Sequence, residues 1–289
     1  MNGFAMLREL LVTPSDSGFE EVMRMLQNWP NDSDIGILEA VDYCQVHLED
    51  WPKQHKLYPY HLTLEELLDE EACWIPHRLA TALDLSHSQF DEEDAQALAG
   101  ARFMSKVTHL SLRSNQIDAQ DLEALSESDY LGQLTHLDLS HNRIGDDEVE
   151  VITTSSIFER LQHLNLSHND IGPQGANFIA RSEVLKNLTH LQLNFNKLLN
   201  EGVSYLAFAS NLKSLTSLEL KDINVRDQGI ELLAQSPHLN NLTHLDLSSG
   251  RFGVHGIKAL LQSEHLQALT HLNLSSSSLG IKAAKAISG

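Results

Sequence analysis

The stretch LTHLDLSHNRIG, residues 134–145, decides the fold of this 289-residue chain. Its first four residues recur as LTHL at positions 188, 242 and 269, and close variants begin at positions 107, 161 and 215. Neighbouring copies are always 27 residues apart. One more interval toward the N-terminus reaches ATALDLS at residue 80, so residues 80–289 contain eight units, the last of them shorter. Repeats of this length indicate a stacked architecture.

Each unit contains one strand pattern followed by one helix pattern. Leucine occupies positions 83 and 85, and both columns recur at every 27th residue through all eight units. This alternation is typical of a short strand with one buried face. Apolar residues then follow at helical spacing, for example Ala176 and Ile179. One strand and one helix cannot bury their own apolar faces, so we expect the units to stack.

Stacked strand–helix units predict a curved α/β solenoid. Because helices are wider than the roughly 4.8 Å spacing between strands, the parallel sheet is expected on the concave side and the helices on the convex side. The quoted stretch resembles the leucine-rich repeat pattern LxxLxLxxNxL. The unit length and the helical second half resemble the ribonuclease-inhibitor-like subclass, and repeats this regular also resemble those of bacterial proteins. The resemblance covers residues 80–289 and implies a right-handed solenoid that binds protein on its concave sheet.

The asparagine column of this pattern is incomplete. It holds Asn115, Asn142, Asn169 and Asn196, with Ser88 before them and Ile223, Gly250 and Ser277 after them. In the family that the sequence resembles, these side chains bond backbone groups of adjacent units and so satisfy the turning chain. The break predicts weaker support for the C-terminal turns without a change of fold.

Residues 1–79 lack the repeat and are predicted to form a helical N-terminal cap. Ser17 and Glu20 have capping-box spacing, Ile37 begins an apolar helical stripe that includes Cys44, and a third helix is expected from Thr63. A helical unit before a solenoid would cover the apolar end of the first repeat. A separate binding module is the alternative, because this segment has 15 acidic and 5 basic residues.

Composition limits the functions that fit this chain. The net charge of −20 argues against nucleic acid and anionic membranes as main partners, since both need clustered lysine and arginine. Two cysteines make no disulfide scaffold, and Arg8 and Glu9 interrupt the only N-terminal stretch that could resemble a signal peptide. We therefore expect a cytoplasmic protein, with export by a route that needs no such signal as the alternative.

Histidine provides the most regular polar pattern of the repeats. It stands before the first leucine of the strand in six units, at His109, His136, His163, His190, His244 and His271. A partial second column contains His87, His141 and His168. Neighbouring imidazoles could in principle share a metal ion. Tandem duplication explains the regularity more simply, so no metal site and no cofactor are predicted, and acidification is expected to lower stability.

Catalytic motifs are missing from the sequence. It contains neither the phosphate-binding GxxxxGK[ST] pattern nor the zinc-binding HExxH pattern. An open repeat surface also offers no oxyanion hole or buried, oriented histidine. Cys44 lies on an apolar helical stripe and is interpreted as a core residue. The chain is therefore not expected to be an enzyme.

Departures from the internal consensus indicate where a partner would bind. The concave positions mostly read His, Asp or Asn, Ser, and His or Ser. Seven residues that depart from this consensus form the predicted partner site: Arg113, Gln192, Asn194, Phe195, Glu219, Lys221 and Asp222. Phe195 is the only aromatic residue other than histidine in these columns, and aromatic residues and arginine are enriched at binding hot spots.

The sequence thus predicts a non-catalytic module that binds a protein on its concave face. Its acidity favours a basic or mixed-charge partner. The alternatives are a secreted bacterial effector that binds a host protein, and a metal-responsive scaffold that uses the histidines. A monomer is expected, and pairing through the exposed terminal strand is the alternative.

Overall fold

A computed structural model describes residues 3–29, 36–48, 51, 57–58 and 81–277. Within these residues, nine strands form one open parallel sheet in strict chain order. The fold is the α/β leucine-rich repeat solenoid that the sequence predicts, with the sheet on the concave side and the helices on the convex side.

Strand and helix alternate through the repeats. The strands are β1 (Leu57–Tyr58), β2 (Ala82–Asp84), β3 (His109–Ser111), β4 (His136–Asp138), β5 (His163–Asn165), β6 (His190–Gln192), β7 (Ser217–Glu219), β8 (His244–Asp246) and β9 (His271–Asn273). The helices are α1 (Gly3–Leu10), α2 (Asp16–Gln27), α3 (Ile37–Leu48), α4 (Glu92–Gly100), α5 (Ala119–Ser126), α6 (Asp146–Thr154), α7 (Pro173–Arg181), α8 (Leu199–Ala207), α9 (Asp227–Ala234) and α10 (Val254–Leu261). Short 3₁₀ helices at Arg102–Lys106, Leu131–Gln133, Ser156–Phe158, Leu185–Asn187 and Ser210–Leu212 lead into the next strand.

The leucine columns build the core, as their alternation predicts. Leu110 pairs in register with Leu137, and Leu137 with Leu164. All three side chains are buried. The residues before and after each of these leucines point to the concave surface. Each unit therefore places side chains from the same repeat positions on that surface.

Side chains of one unit also support the helix of the next unit. Oδ1 of Asp146, in the first turn of α6, accepts from the backbone N–H groups of Gly172 and Gly175, both at 2.7 Å. These donors belong to the N-terminus of α7, which has no side-chain cap of its own. Asp227 makes the equivalent pair of bonds to Gly253 and Gly256. The solenoid is thus held together on its convex side by caps that cross unit boundaries.

The asparagine ladder forms as expected. Oδ1 of Asn142 accepts from the backbone N–H groups of Asn115 at 2.9 Å and Ile117 at 3.0 Å, and its Nδ2 donates to the carbonyl of Leu112 at 3.1 Å. Asn169 repeats this pattern one unit later, with Oδ1 accepting from Asn142 and Ile144.

Three different substitutions replace the ladder after Asn196. Ile223 is fully buried, and the hydroxyl of Ser277 donates to the carbonyl of Leu247 at 3.2 Å. Gly250 makes room for the neighbouring Phe252 ring, which a Cβ at position 250 would strike. The strand register continues unchanged through β9. The strand pairing therefore persists through the units that lack the asparagine.

The N-terminal segment differs in part from its prediction. The side chain that caps α2 is Ser15, which accepts from the backbone N–H of Gly18, so the expected capping role of Ser17 was wrong. The segment is also not purely helical, because β1 pairs with β2 and extends the sheet beyond the first predicted unit. The helix expected at Thr63 lies outside the described residues.

The described N-terminal helices share one core with the repeats. Buried residues of α1, α2 and α3, among them Leu7, Phe19 and Cys44, belong to the same apolar cluster as Leu83 and Leu110. Burial raises the pKa of the Cys44 thiol to about 12, so the thiol stays protonated and acts as a core side chain.

Candidate functional site

The concave surface contains a shallow groove lined largely by histidine rings and the carbon atoms of the strands. The groove has a volume of about 390 Å³ and extends across β2 to β6. Its walls are the outward residues of these strands, including Asp84, His109, Asp138, His163 and Gln192. The strand alternation that buries leucine places each of these side chains on the open face.

Four imidazoles form a continuous stack across this groove, here called the first histidine row: His109, His136, His163 and His190. Adjacent ring centres are 3.8 to 3.9 Å apart and their planes differ by 11 to 15°. Ser217 interrupts the row in β7, and His244 and His271 stack again at 4.2 Å. The rings lie closer together than the strand spacing of roughly 4.8 Å because the sheet curves toward them.

Threonine hydroxyls fix the orientation of most of these rings. Oγ1 of Thr189 donates to the carbonyl of Gln162 at 3.1 Å and lies 2.9 Å from Nδ1 of His190. We assign its single proton to the carbonyl, and on this assignment the hydroxyl accepts from Nδ1–H of the imidazole. The same pair of contacts recurs at Thr108, Thr135, Thr243 and Thr270. Nε2 is therefore the nitrogen that carries the lone pair when these rings are neutral.

The stack favours neutral imidazoles. Burial, followed by the charges that His190 and His109 would carry, lowers the pKa of His163 to about 4. Burial also lowers the pKa of His190, reinforced by His244 and opposed by Glu219. At neutral pH His163 and His190 are thus uncharged and can present an acceptor nitrogen to the groove.

Stacking places the imidazole nitrogens in parallel. Lone pairs lie in the ring planes, so adjacent rings of the first histidine row do not converge on a shared point as metal ligands must. Among the described residues, no group of three or more His, Cys, Asp or Glu side chains is arranged to hold a metal ion. A metal bound here would require rotated rings.

A second stack, here called the aromatic row, contains His141, His168 and Phe195. The ring centres of His141 and His168 are 3.9 Å apart, and those of His168 and Phe195 are 4.0 Å apart. The ammonium of Lys221 lies 5.0 Å from the centre of the Phe195 ring. At the other end, Nη1 of Arg113 donates to Oγ of Ser140 at 3.0 Å. Three predicted site residues therefore lie along one line of side chains.

The backbone of the aromatic row is left-handed. The φ angles of His141, His168 and Phe195 are 57°, 57° and 56°. Histidine, serine and aspartate fill the other positions of this column, and short polar residues and histidine tolerate this conformation better than phenylalanine does. Phe195 therefore occupies a strained position while its ring lies half-exposed on the groove, outside the apolar core.

The remaining predicted residues connect to the same region. Both oxygens of Glu219 are occupied, because Gln192 Nε2 and Asn194 Nδ2 each donate to it at 2.8 Å. Oδ1 of Asn194 accepts from the backbone N–H of Lys221 at 2.9 Å. Asp222 follows Phe195 in the column of the aromatic row and is also left-handed, with φ at 50°. Six of the seven residues therefore cluster at β6 and β7, and Arg113 lies at β3.

Two features of this surface were missed from the sequence. The threonine preceding most row histidines was not identified as the group that fixes their tautomer, although Thr-His repeats at the 27-residue interval. The face-to-face stacking of the imidazole rings was also not predicted. It follows from the in-register parallel pairing of His109 with His136 and of each later pair.

Short parallel strands, each followed by a helix and repeated in register, define a protein of the strand–helix solenoid class. The leucine-rich repeat family profile matches residues 103–126, 134–151, 161–180, 184–207 and 238–261. These matched segments of the chain are leucine-rich repeats. Domains of this family generally mediate protein–protein interaction and typically act as non-catalytic scaffolds.

Known proteins provide similarity only at the level of the fold. A chain of the mouse RP105/MD-1 complex is 21% identical with a TM-score of 0.48, and the match covers 71% of this chain and 32% of that chain. A plant ice-binding protein is 20% identical with a TM-score of 0.40, and the match covers 72% of this chain and 68% of that one. This chain therefore spans about a third of the first of these structures. No curated protein sequence matches it. None of its described helices combines the length and apolar character needed to cross a membrane.

Proposed function

We propose that this protein is a non-catalytic interaction module that binds a protein partner on the concave face around Phe195. The observation that carries the proposal is the position of Phe195: a half-exposed aromatic ring on a left-handed backbone, stacked on His168 and covered at its other face by Lys221. A strained residue with no place in the core is best explained by binding.

The predicted site residues have distinct roles in this proposal. Phe195 supplies the apolar anchor, while Arg113 and Lys221 supply charge. Gln192, Asn194 and Glu219 form the hydrogen-bonded base that holds the backbone of Lys221 in place. Asp222 adds a carboxylate beside the anchor. The net charge of −20 favours a partner that is basic or of mixed charge overall.

The test is capture of a partner from native cell lysate by the wild type and two variants. The site variant is Phe195→Ala/Lys221→Glu/Asp222→Lys. The control variant makes the same three types of change outside the sheet, at Phe208→Ala/Lys213→Glu/Asp129→Lys, where all three residues are exposed. We expect wild type and control to capture one shared protein that the site variant loses. Equal capture by all three proteins would contradict the proposal.

A metal-responsive scaffold is the second candidate, favoured by the Nδ1–H···Oγ1 bonds that leave Nε2 as the coordinating nitrogen. Zinc titration of the wild type and of a variant lacking His136, His163 and His190 tests it. Stoichiometric binding lost in that variant would support the scaffold, whereas equal weak binding by both proteins would oppose it.

Other expectations stay proposals. They are the ribonuclease-inhibitor-like subclass, a bacterial source with action as a secreted effector on a host protein, and a cytoplasmic location. We also keep the monomer as the proposed oligomeric state, with pairing of two chains along β9 as the alternative. Residues 278–289, which follow β9, lie outside the described residues.

A further inference from the structure

Two cations without ionic partners enclose the aromatic row. Arg113 and Lys221 are the only lysine or arginine residues in the concave columns, and neither forms an ion pair with a described residue. By contrast, Lys186 and Lys197 pair with Glu159 and Asp170 at 3.0 and 2.7 Å. Arg113 and Lys221 are therefore the two cations that the concave face offers to a ligand.

The positions between these cations carry no carboxylate, because the column of Arg113 and Lys221 has Ser140, Ser167 and Asn194 there and the next column has the aromatic row. Every charge that perturbs His168 is cationic or potentially cationic, and together with burial these charges lower its pKa: His141, Arg113 and Lys221. At His141 the influence of Arg113 and His87 is opposed by Asp138. The aromatic row thus lies between two cations on an uncharged stretch of the concave face, with Asp138 and Glu219 in the neighbouring column, and an anionic group on this stretch would be attracted to both cations.

The distance between the two cations indicates how long a bound peptide must be to reach both. Arg113 and Lys221 occupy the same column four strands apart, since β3 and β7 are separated by β4, β5 and β6. Four strand spacings are about 19 Å at the backbone and about 16 Å at the height of the stacked rings, which an extended peptide covers in about five to six residues. Residues six apart on an extended chain lie on the same face, so one segment can present two side chains to both cations.

We infer that the aromatic row and its flanking cations, Arg113 and Lys221, form a docking surface for an extended acidic segment of the protein partner. One carboxylate pairs with Arg113 and a second, about six residues away, pairs with Lys221, while the residues between them cross the ring edges of His141, His168 and Phe195. This inference rests on the proposed function and specifies its partner as a protein of mixed charge with an acidic docking segment.

Three synthetic peptides test the inference directly. The first has two glutamates separated by five residues of serine and valine, which places both carboxylates on one face of an extended chain. The second separates them by four residues, which places them on opposite faces. The third has lysine in place of both glutamates of the first. Each peptide is titrated to millimolar concentration into the full chain, and binding is followed through the imidazole carbon-bound proton signals of His141 and His168.

We expect the first peptide to shift these signals and to bind at least tenfold more tightly than the other two. In Arg113→Gln and Lys221→Gln its affinity should fall at least fivefold, while Lys186→Gln should match the wild type. Unchanged circular dichroism confirms that the variants fold. No shift with the first peptide at millimolar concentration, or equal affinity for all three, would overturn the inference. Partner capture that depends on Phe195 would then still support the proposed function, so the two failures are distinguishable.

Discussion

The ammonium of Lys221 lies over the ring of Phe195, 5.0 Å from its centre. These residues belong to different repeat units, and each departs from the internal consensus of its own column. Independent drift has no reason to bring two departures into contact with each other. Their contact is the structural basis for placing the partner site at β6 and β7.

Replacing Phe195 is expected to separate binding from stability. Phe195→Asn relieves backbone strain of about 1–3 kcal/mol at a φ of 56° and loses a stacking contact worth about 0.5–1.5 kcal/mol. The free energy of unfolding should therefore fall by no more than about 0.5 kcal/mol, or rise, while partner capture is lost.

Phe158→Ala is the matched control, because that ring is buried in the core and its loss should cost about 3–5 kcal/mol. Urea denaturation of the three proteins measures both effects. A loss at Phe195→Asn as large as that at Phe158→Ala would make Phe195 a structural residue.

Acidification is expected to destabilise the fold. Unfolded histidines titrate near their ordinary pKa of 6.5, whereas folded His163 titrates at about 4, so the unfolded state binds more protons between these values. Stability is therefore fully present above about pH 6.5 and falls as the pH decreases toward 4. The lowered pKa of His190 acts in the same direction.

The melting temperature measured from about pH 7.5 to about pH 5 tests this dependence, and we expect a fall of several degrees. His163→Gln should flatten the curve, and His265→Gln, outside the stacks, should leave its shape unchanged. A melting temperature independent of pH in the wild type would refute the prediction.

The asparagine ladder predicts a large local cost for Asn142→Ala. The substitution removes the acceptor for two buried backbone N–H groups, of Asn115 and Ile117, and a donor to buried carbonyls. We expect a loss of about 3 kcal/mol, since each unsatisfied buried group costs about 1–3 kcal/mol. Asn240→Ala removes an exposed bond to the Pro237 carbonyl and should cost about 0.5 kcal/mol or less. Equal midpoints of urea unfolding for the two variants would contradict the ladder's role.

The tautomer of His190 can be read from its imidazole nitrogen shifts. Thr189 holds Nδ1–H, so we expect the Nδ1-protonated form in the wild type. Thr189→Val removes the acceptor and should shift the equilibrium toward the Nε2-protonated form. Thr154→Val, on an exposed helical turn, should leave it unchanged. An Nε2-protonated imidazole in the wild type would show that the hydroxyl donates to the ring.

The sequence was sufficient for the fold because the repeat supplies the same information many times. Leu110 and Leu137 occupy equivalent columns, so their pairing followed from the interval alone. The repeat gives no such information for residues 1–79. The capping residue Ser15 and strand β1, which pairs with β2 of the first unit, lie in this unique sequence and were missed. The capping-box spacing at Ser17 was misleading, because the helix begins two residues earlier and Ser15 is its N-cap.

The sequence comparison selected the positions of the proposed site, but it could not give their contacts. Internal comparison identified Phe195 and Lys221, but not that one covers the other. That contact depends on the direction in which the Phe195 side chain leaves its left-handed backbone, and the aligned repeat sequences do not show this direction. The bonds from Gln192 and Asn194 to Glu219 likewise depend on which strands are neighbours in space.

Site-specific photocrosslinking at position 195 tests the central claim most directly. A photoreactive phenylalanine analogue replaces Phe195 in one protein and the exposed Phe208 in another, and both are irradiated in native cell lysate. We predict one discrete crosslinked protein from position 195, reduced by Lys221→Glu in the same chain, and none of that mass from position 208. The same product from both positions, or none from position 195, would contradict a partner site on the concave face.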